Sequence, residues 1–191
     1  MKELEEKILV SGVIQDNKIL NVDSFVNHQI DVRMLDKVCF DIAQKFDYCD
    51  KIISIESIGI PFAVAVSRFM GKVPVVFAKR SKEAPSKEEC YTTEVYSKTH
   101  FSSQYASINK EYISKDEHCL IIDAFLSSGN SCLGLIDLIN QAGAKVVGVG
   151  VVVDKEYEGG RKKLEDLSIK VYSSACVKEL KDNTPIFEER D

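Results

Sequence analysis

The sequence predicts a single α/β domain built on a mainly parallel sheet with helices on both faces. Its 191 residues are enough for one domain, and 45% apolar and 29% charged residues are the proportions of an ordinary globular protein. Short, continuous apolar runs alternate with segments of helical period, which is the pattern of repeated β-α units. We therefore treat residues 1–191 as one domain.

Two helices are expected in the N-terminal quarter. The first covers residues 2–12 and ends at Gly12, because its apolar residues recur at helical spacing. Residues 18–22 form a small apolar run, and the mixed polarity of residues 25–30 predicts a structured loop. Asp31 can cap the second helix, whose apolar positions are Met34, Leu35, Val38, Ile42 and Phe46.

A first β-α-β unit lies between residues 52 and 78. Residues 52–55 read as a buried strand and residues 56–59 as a tight turn. Pro61 suits the first position of a helix that runs toward Met70, and residues 73–78 read as a second buried strand. Such a unit makes its two strands parallel, with a right-handed crossover.

An exposed loop and a hairpin are expected next. Residues 81–90 are charged, contain Pro85 and lack periodicity. Residues 91–97 and 103–108 are rich in Thr, Tyr, Val and Ser, which favours two paired strands. Function often lies in such loops.

The C-terminal half repeats the β-α pattern. Residues 119–122 predict a strand that leads into Asp123. The remaining elements are a helix at 131–141, a strand at 145–153, a short helix at 161–168 and a last strand at 169–176. In parallel sheets of this kind, ligands bind where the carboxyl ends of the strands open at the switch point.

The segment LIIDAFLSSGNS, residues 120–131, carries the strongest chemical signal. The start of a helix offers unpaired amides to an anion, Gly129 lets the backbone approach closely, and the serine hydroxyls can donate to a phosphate. Asp123 could bond sugar hydroxyls or hold a hydrated Mg²⁺. The segment is neither a Walker loop nor a dinucleotide fingerprint. A strand, a turn and a capped helix without a ligand is the alternative interpretation.

Charge, hydropathy and cysteine spacing limit the cellular setting. A net charge of -5 and a pI near 5.4 argue against a nucleic-acid partner. We see no signal peptide and no apolar stretch of membrane length, so a cytoplasmic protein without a membrane partner is expected. The cysteines are irregularly spaced and read as reduced thiols: Cys39, Cys49, Cys90, Cys119, Cys132 and Cys176.

Residues 120–129, LIIDAFLSSG, resemble the phosphoribosyl-pyrophosphate (PRPP) motif of type I phosphoribosyltransferases. The order of segments along nearly the whole chain resembles the bacterial xanthine phosphoribosyltransferases in particular, through blocks at 18–31, 52–60, 73–80, 120–129 and 141–155. The resemblance implies a type I phosphoribosyltransferase fold. It also implies a small hood, from about 1–30 and the C-terminal segment, and a flexible flap at about 81–109. The implied activity is purine salvage by a homodimer that uses xanthine, PRPP and Mg²⁺.

The same resemblance assigns site residues. It places PRPP against nine of them: Ser127, Ser128, Gly129, Asn130 and Ser131 at the 5′-phosphate, and Glu56, Ser57, Lys79 and Arg80 at the pyrophosphate. It places the purine near Leu20, Asn27 and Lys155, with Phe125 covering the base or ribose. Asp123 would be the catalytic carboxylate. Mg²⁺ would be held through PRPP, without protein ligands or with Asp123 alone.

Lys155 points to a 6-oxopurine. It follows the strand predicted at 145–153, so it should project at the carboxyl edge of the sheet, where a positive donor favours an oxo group over the amino group of adenine. A solvated lysine at a strand end is the competing interpretation. Asn27 could equally be a turn residue, and Phe125 a core residue.

Ala124 departs from the family pattern, which has a second acid at this position. In the family, the two carboxylates steady the ribose hydroxyls and the positive charge that develops at the anomeric carbon. The departure leaves open a non-catalytic regulator that binds PRPP, although no DNA-binding domain or basic patch is visible. A transferase that acts on guanine and hypoxanthine, or one that acts on adenine, also stays open.

Overall fold

A computed structural model describes residues 1–16, 18–97 and 102–189 of the chain. The helices are α1 (Lys2–Ser11), α2 (Val32–Ala43), α3 (Gly59–Phe69), α4 (Asn130–Gln141) and α5 (Gly160–Glu165), and single 3-10 turns span Lys110–Tyr112 and Glu156–Glu158. The strands are β1 (Val13–Gln15), β2 (Ile19–Asn21), β3 (Lys51–Ile55), β4 (Val75–Ser81), β5 (Cys90–Ser97), β6 (Ser102–Asn109), β7 (His118–Leu126), β8 (Lys145–Lys155), β9 (Val171–Lys181) and β10 (Thr184–Phe187).

The main sheet has the strand order β10-β9-β8-β7-β3-β4-β6-β5. The strands from β9 to β4 are parallel, whereas β10 and the β5-β6 hairpin join antiparallel. Strand β4 lies on one side of β3, and strands β7, β8 and β9 follow one another on its other side. The switch point therefore lies between β3 and β7, where a ligand site is expected at the carboxyl ends.

Helices cover both faces of this sheet, as the sequence predicted. Side chains of neighbouring residues in a strand point to opposite faces. Ile52 and Ile122 accordingly belong to the core formed with α1, α2 and α3, and Ile53 and Ile121 to the core formed with α4 and α5. The α/β fold class is confirmed.

The two N-terminal helices are also confirmed. Helix α1 buries Leu4 and Ile8. Helix α2 starts where Asp31 was predicted to cap it, and the Asp31 carboxylate accepts from the amides of Arg33 and Met34. The β5-β6 hairpin is present. Residues 98–101, part of the predicted flap, lie outside the described residues.

Some predicted boundaries, and the predicted burial of one strand, are wrong; the helix predicted at 161–168, for example, ends at Glu165. Helix α3 begins at Gly59, so Pro61 is its third residue. Strand β7 runs through Asp123 to Leu126, because apolar residues resume after the single buried acid. The strand predicted at 73–78 is β4, in which only Ala78 is buried. Strand β4 lies away from the centre of the sheet, so its apolar run did not mean full burial.

The prediction of a last strand at 169–176 is also wrong. Strand β9 continues to Lys181 and pairs antiparallel with β10. Asp182 and Asn183, which join them, have φ angles of 52° and 53°, and Asn and Asp are among the residues that tolerate positive φ in a tight hairpin turn. Helix α1 packs against β9 and β10, so the two ends of the chain lie together. No helix within the described ranges is long and apolar enough to span a membrane.

Candidate active site

A cavity of about 780 Å³ opens at the carboxyl ends of β3, β4, β7 and β8. This size is within the range of small-molecule sites. Twelve of the fourteen residues proposed from the sequence line it: Asn27, Glu56, Ser57, Arg80, Asp123, Phe125, Ser127, Ser128, Gly129, Asn130, Ser131 and Lys155. Leu20 and Lys79 do not belong to its wall.

The segment Ser127–Ser131, called the phosphate loop below, joins β7 to α4. Gly129 has a φ of 82° and precedes the first residue of the helix, a conformation that glycine adopts without steric cost. No side chain in the described part of the chain caps α4. Its first amides lack helical partners, so the loop offers backbone donors and the positive end of a helix dipole to an anion.

Asp123 lies at the floor of the cavity, where its side chain is 7% exposed. One carboxylate oxygen, Oδ1, accepts from the amide of Ala124 at 2.7 Å. Burial raises the pKa of Asp123 to about 6, while the Ala124 amide and the charge of Arg80 act in the opposite direction. A Cβ at Gly59 would lie 2.9 Å from this oxygen, so glycine allows the start of α3 to pack against the acid.

Arg80 links the phosphate loop to the turn that follows β3. Its Nε donates to the carbonyl oxygen of Glu56 at 3.0 Å, and its Nη2 donates to the Ser131 hydroxyl at 3.1 Å. The Glu56 carboxylate accepts from the amide of Arg80 at 2.8 Å, and the peptide bond between Glu56 and Ser57 is cis. The guanidinium therefore supplies positive charge between both loops, whereas the neighbouring Lys79 is exposed.

Lys155 and Phe125 form the other end of the cavity. Lys155 is the last residue of β8, and its Nζ lies 5.4 Å from the centre of the Phe125 ring, within range of a cation–π contact. Nζ also donates to the carbonyl oxygen of Leu20 at 3.2 Å. Leu20 thus meets this end of the site through its backbone, while its side chain is in the core. Burial lowers the pKa of Lys155.

Asn27 is exposed at the rim of the cavity, where its side-chain Nδ2 donates to the Asp23 carboxylate at 2.7 Å. This bond orients the Asn27 side chain and leaves its carbonyl oxygen available as an acceptor. The arrangement suits contact with the edge of a base.

Sequence reasoning missed Tyr96 and Gln104, which reach the cavity from the β5-β6 hairpin, and Glu158, which reaches it from the 3-10 turn after β8. The side-chain amide of Asn130 donates to the carbonyl oxygen of Tyr96 at 3.1 Å and ties the hairpin to the phosphate loop. The sequence predicted the hairpin that carries Tyr96 and Gln104, but nothing in its composition indicated that these two residues reach the cavity.

Ala124 does not line the cavity. Its methyl group is fully buried in the core beneath α1, α2 and α3. The carboxylates that line the cavity within the described ranges are those of Asp123, Glu56 and Glu158. No described residue takes the place of the second acid beside Asp123 on the strand.

The comparisons with known proteins identify the family. The model of the phosphoribosyl transferase domain matches residues 21–178. Xanthine phosphoribosyltransferase 1 of Clostridium perfringens (strain 13 / Type A) is 40% identical over 190 residues, covering 98% of this chain and 100% of the relative. Xanthine phosphoribosyltransferase of Clostridioides difficile (strain 630) is 42% identical over 189 residues, with coverage of 98% and 100%. The chain belongs to the phosphoribosyltransferase family, which confirms the resemblance noted in the sequence.

A solved structure supports the same fold. The adenine phosphoribosyltransferase of Rhodothermus marinus DSM 4252 superposes with a TM-score of 0.71, covering 93% of this chain and 100% of that one at 16% identity. At this identity the similarity concerns the fold alone. The type I phosphoribosyltransferase fold expected from the sequence is confirmed.

Proposed function

We propose that this protein transfers the phosphoribosyl group of PRPP to a ring nitrogen of xanthine, which yields xanthosine 5′-monophosphate and pyrophosphate. One observation carries the proposal. A single cavity holds a phosphate loop, the buried carboxylate of Asp123 and the ammonium group of Lys155 beside an aromatic ring. The names of the two clostridial relatives support the choice of xanthine.

The ribose phosphate would lie between the phosphate loop and Asp123. Amides at the start of α4 and the hydroxyls of Ser127, Ser128 and Ser131 would bind the 5′-phosphate. Asp123 would accept from the ribose hydroxyls. Arg80 and the Glu56–Ser57 turn would meet the pyrophosphate.

The purine would lie at the end of the cavity formed by Lys155 and Phe125. A positive donor favours an oxo oxygen, which acts as an acceptor, over the amino group of adenine. Phe125 offers a ring face, and Asn27 a polar edge. The geometry supports an oxopurine, and the relatives support xanthine in particular.

In the proposed reaction, the bond between the anomeric carbon and the pyrophosphate oxygen breaks, and its electron pair leaves with pyrophosphate. The lone pair of the purine nitrogen forms the new bond to that carbon, and the purine loses a proton. Positioning of the two substrates can supply about 7–11 kcal/mol of the barrier reduction. With a pKa of about 6, Asp123 is mostly ionised at neutral pH and can stabilise positive charge at the sugar.

The site fits Mg²⁺ carried by PRPP. No group of three or more His, Cys, Asp or Glu side chains that could hold a metal occurs in the described ranges. Mg²⁺ usually binds one or two carboxylates together with substrate phosphates, and Asp123 and Glu56 are carboxylates in the cavity wall. Bound with PRPP, the ion would neutralise charge on the leaving pyrophosphate.

A non-catalytic PRPP-binding regulator is the second candidate. The observation that favours it is Ala124, because a second acid is missing beside Asp123. Such a protein would use the same phosphate loop and Arg80, and would bind PRPP without turnover. Guanine, hypoxanthine and adenine are the competing substrates if the protein is a transferase.

A spectrophotometric assay with PRPP, Mg²⁺ and xanthine, guanine, hypoxanthine or adenine separates these candidates. We expect the highest kcat/KM with xanthine and the lowest with adenine. If the protein binds PRPP but turns over no purine, the regulator is the correct function. If it prefers another purine, it is a transferase with a different substrate.

We also propose that the protein is a homodimer in the cytoplasm. The rings of Phe40 on α2 and Phe69 on α3 pack edge to face with centres 5.5 Å apart, yet they are 52% and 39% exposed. An exposed aromatic pair favours burial against a partner. All six cysteines are free thiols, which is typical of a reducing compartment.

A further inference from the structure

The rear of the phosphate loop rests on α5. The amide of Gly160 donates to the carbonyl oxygen of Ser127 at 2.9 Å, and Nζ of Lys163 donates to the carbonyl oxygen of Ser128 at 2.8 Å. The cavity wall formed by the described residues contains neither Gly160 nor Lys163. Helix α5 therefore supports the loop from the side opposite the substrate site.

These two hydrogen bonds set the direction of the amides that follow. The peptide bonds after Ser127 and Ser128 are trans, and a trans peptide directs its N–H opposite to its C=O. Both carbonyls point toward α5. The amides of Ser128 and Gly129 consequently point away from α5, toward the cavity, which is the direction needed to bind an anion.

The contact at Gly160 joins backbone to backbone. A Cβ at Gly160 would lie 2.3 Å from the Ser127 oxygen and 2.7 Å from the Gly129 nitrogen. A Cβ at Gly129 would lie 3.2 Å from the Cα of Gly160. A side chain at residue 160 would thus displace the loop.

Arg161 holds α5 in this position. A helix of six residues is too short to be stable alone. Nε of Arg161 donates to the Asp154 carboxylate at 2.6 Å, and Nη2 donates to the Ser173 hydroxyl at 2.8 Å. Asp154 and Ser173 are fully buried in β8 and β9. The guanidinium therefore anchors the helix to the sheet.

We propose that Gly160, Arg161 and Lys163 are positioning residues for the phosphate loop. They act through the carbonyl groups of Ser127 and Ser128 and direct two backbone amides at the 5′-phosphate. This inference rests on the proposed function, because it takes the anion to be the phosphate of a ribose 5-phosphate group. None of the three residues lines the cavity.

The test measures binding of ribose 5-phosphate by calorimetry to the native protein and to the variants Lys163→Met, Lys163→Arg, Gly160→Ala and Lys162→Met. Lys162 is the matched control, because it lies on the same helix and pairs with Asp166 at the surface. We expect Lys163→Met and Gly160→Ala to weaken binding at least 10-fold, Lys162→Met to stay within twofold, and Lys163→Arg to restore most of the affinity. The KM for PRPP should rise more than kcat falls.

Two results would overturn the inference, and they differ in what they mean. If the native protein binds and Lys163→Met and Gly160→Ala bind equally well, the positioning role fails while the proposed function stands. If the native protein does not bind ribose 5-phosphate, both fail. Should Gly160→Ala not fold, Lys163→Met decides, because Lys163 is an exposed residue and its replacement adds no atom to the packed contact between α5 and the loop.

Discussion

At the scale of single residues, Asp123 combines burial with a charge that the proposed reaction needs. Burial raises its pKa from 3.8 to about 6, and each unit of pKa corresponds to about 1.4 kcal/mol. Well below pH 3.8 the carboxyl group is protonated in the folded and the unfolded chain, so its burial costs no electrostatic free energy. Between pH 3.8 and about 6 the unfolded chain ionises first, and the free energy of unfolding falls. The loss reaches about 3 kcal/mol above that pH.

The first prediction concerns Asp123→Asn. The substitution should lower kcat with every purine by about 100-fold or more, because the ribose loses its carboxylate. The variant should also be more stable than the native protein, and this gain should grow by about 1 kcal/mol between pH 5 and pH 8. Urea unfolding at the two pH values measures the difference in the free energy of unfolding between the variant and the native protein. A difference that does not change with pH would contradict the raised pKa of Asp123.

The second prediction concerns Lys155→Met. Loss of the ammonium group should lower kcat/KM by about 10- to 100-fold for xanthine, guanine and hypoxanthine, because their oxo groups lose a charged donor. The low rate with adenine should change little. Lys178→Met is the control, since Lys178 is an exposed lysine on the neighbouring strand β9. Equal losses for adenine and the oxopurines would show that Lys155 supports the fold rather than the base.

At the scale of elements, the β5-β6 hairpin is held against α4. A Cβ at Gly134 would lie 2.5 Å from a methyl group of Val95, so the helix and hairpin meet at a glycine. The side-chain amide of Gln141 donates to the carbonyl of Thr92 and accepts from its amide. These contacts set where Tyr96 and Gln104 enter the cavity.

The third prediction uses this contact. Gly134→Ala should push the hairpin from α4, increase hydrogen exchange in residues 91–97 and raise the KM for both substrates several-fold. Val95→Ala in the same chain should restore much of the native behaviour, because it removes the methyl groups that clash. Measured exchange and KM in the double variant that match those of Gly134→Ala alone would rule out the steric explanation.

The sequence could predict those features of the site and fold that depend on a single continuous segment. The phosphate loop, Asp123 and the cap of α2 by Asp31 depend on local spacing, and their positions follow from the strand-turn-helix pattern. Tyr96, Gln104 and Glu158 could not be found, because their entry into the cavity depends on the pairing of β6 with β4 and on the chain path after β8. The support from α5 was invisible for the same reason, since Gly160 and Ser127 are distant in the chain.

At the scale of the whole molecule, the fourth prediction concerns assembly. We expect light scattering to give twice the chain mass of 21.4 kDa, and Phe40→Glu to shift the protein toward the monomer, because a charge replaces an exposed ring beside Phe69. Tyr112→Glu is the control, as Tyr112 is an exposed aromatic elsewhere on the surface. A monomeric native protein at micromolar concentration would refute the dimer.

The central claim is that the phosphate loop binds a ribose 5′-phosphate with Asp123 beside the sugar. The most direct measurement is a crystal structure with xanthosine 5′-monophosphate. We expect phosphate oxygens within hydrogen-bond distance of the Ser128 and Gly129 amides, the ribose hydroxyls at Asp123 and the base at Lys155. A nucleotide bound elsewhere, or a phosphate loop that closes over its own side chains and excludes the ligand, would contradict the account.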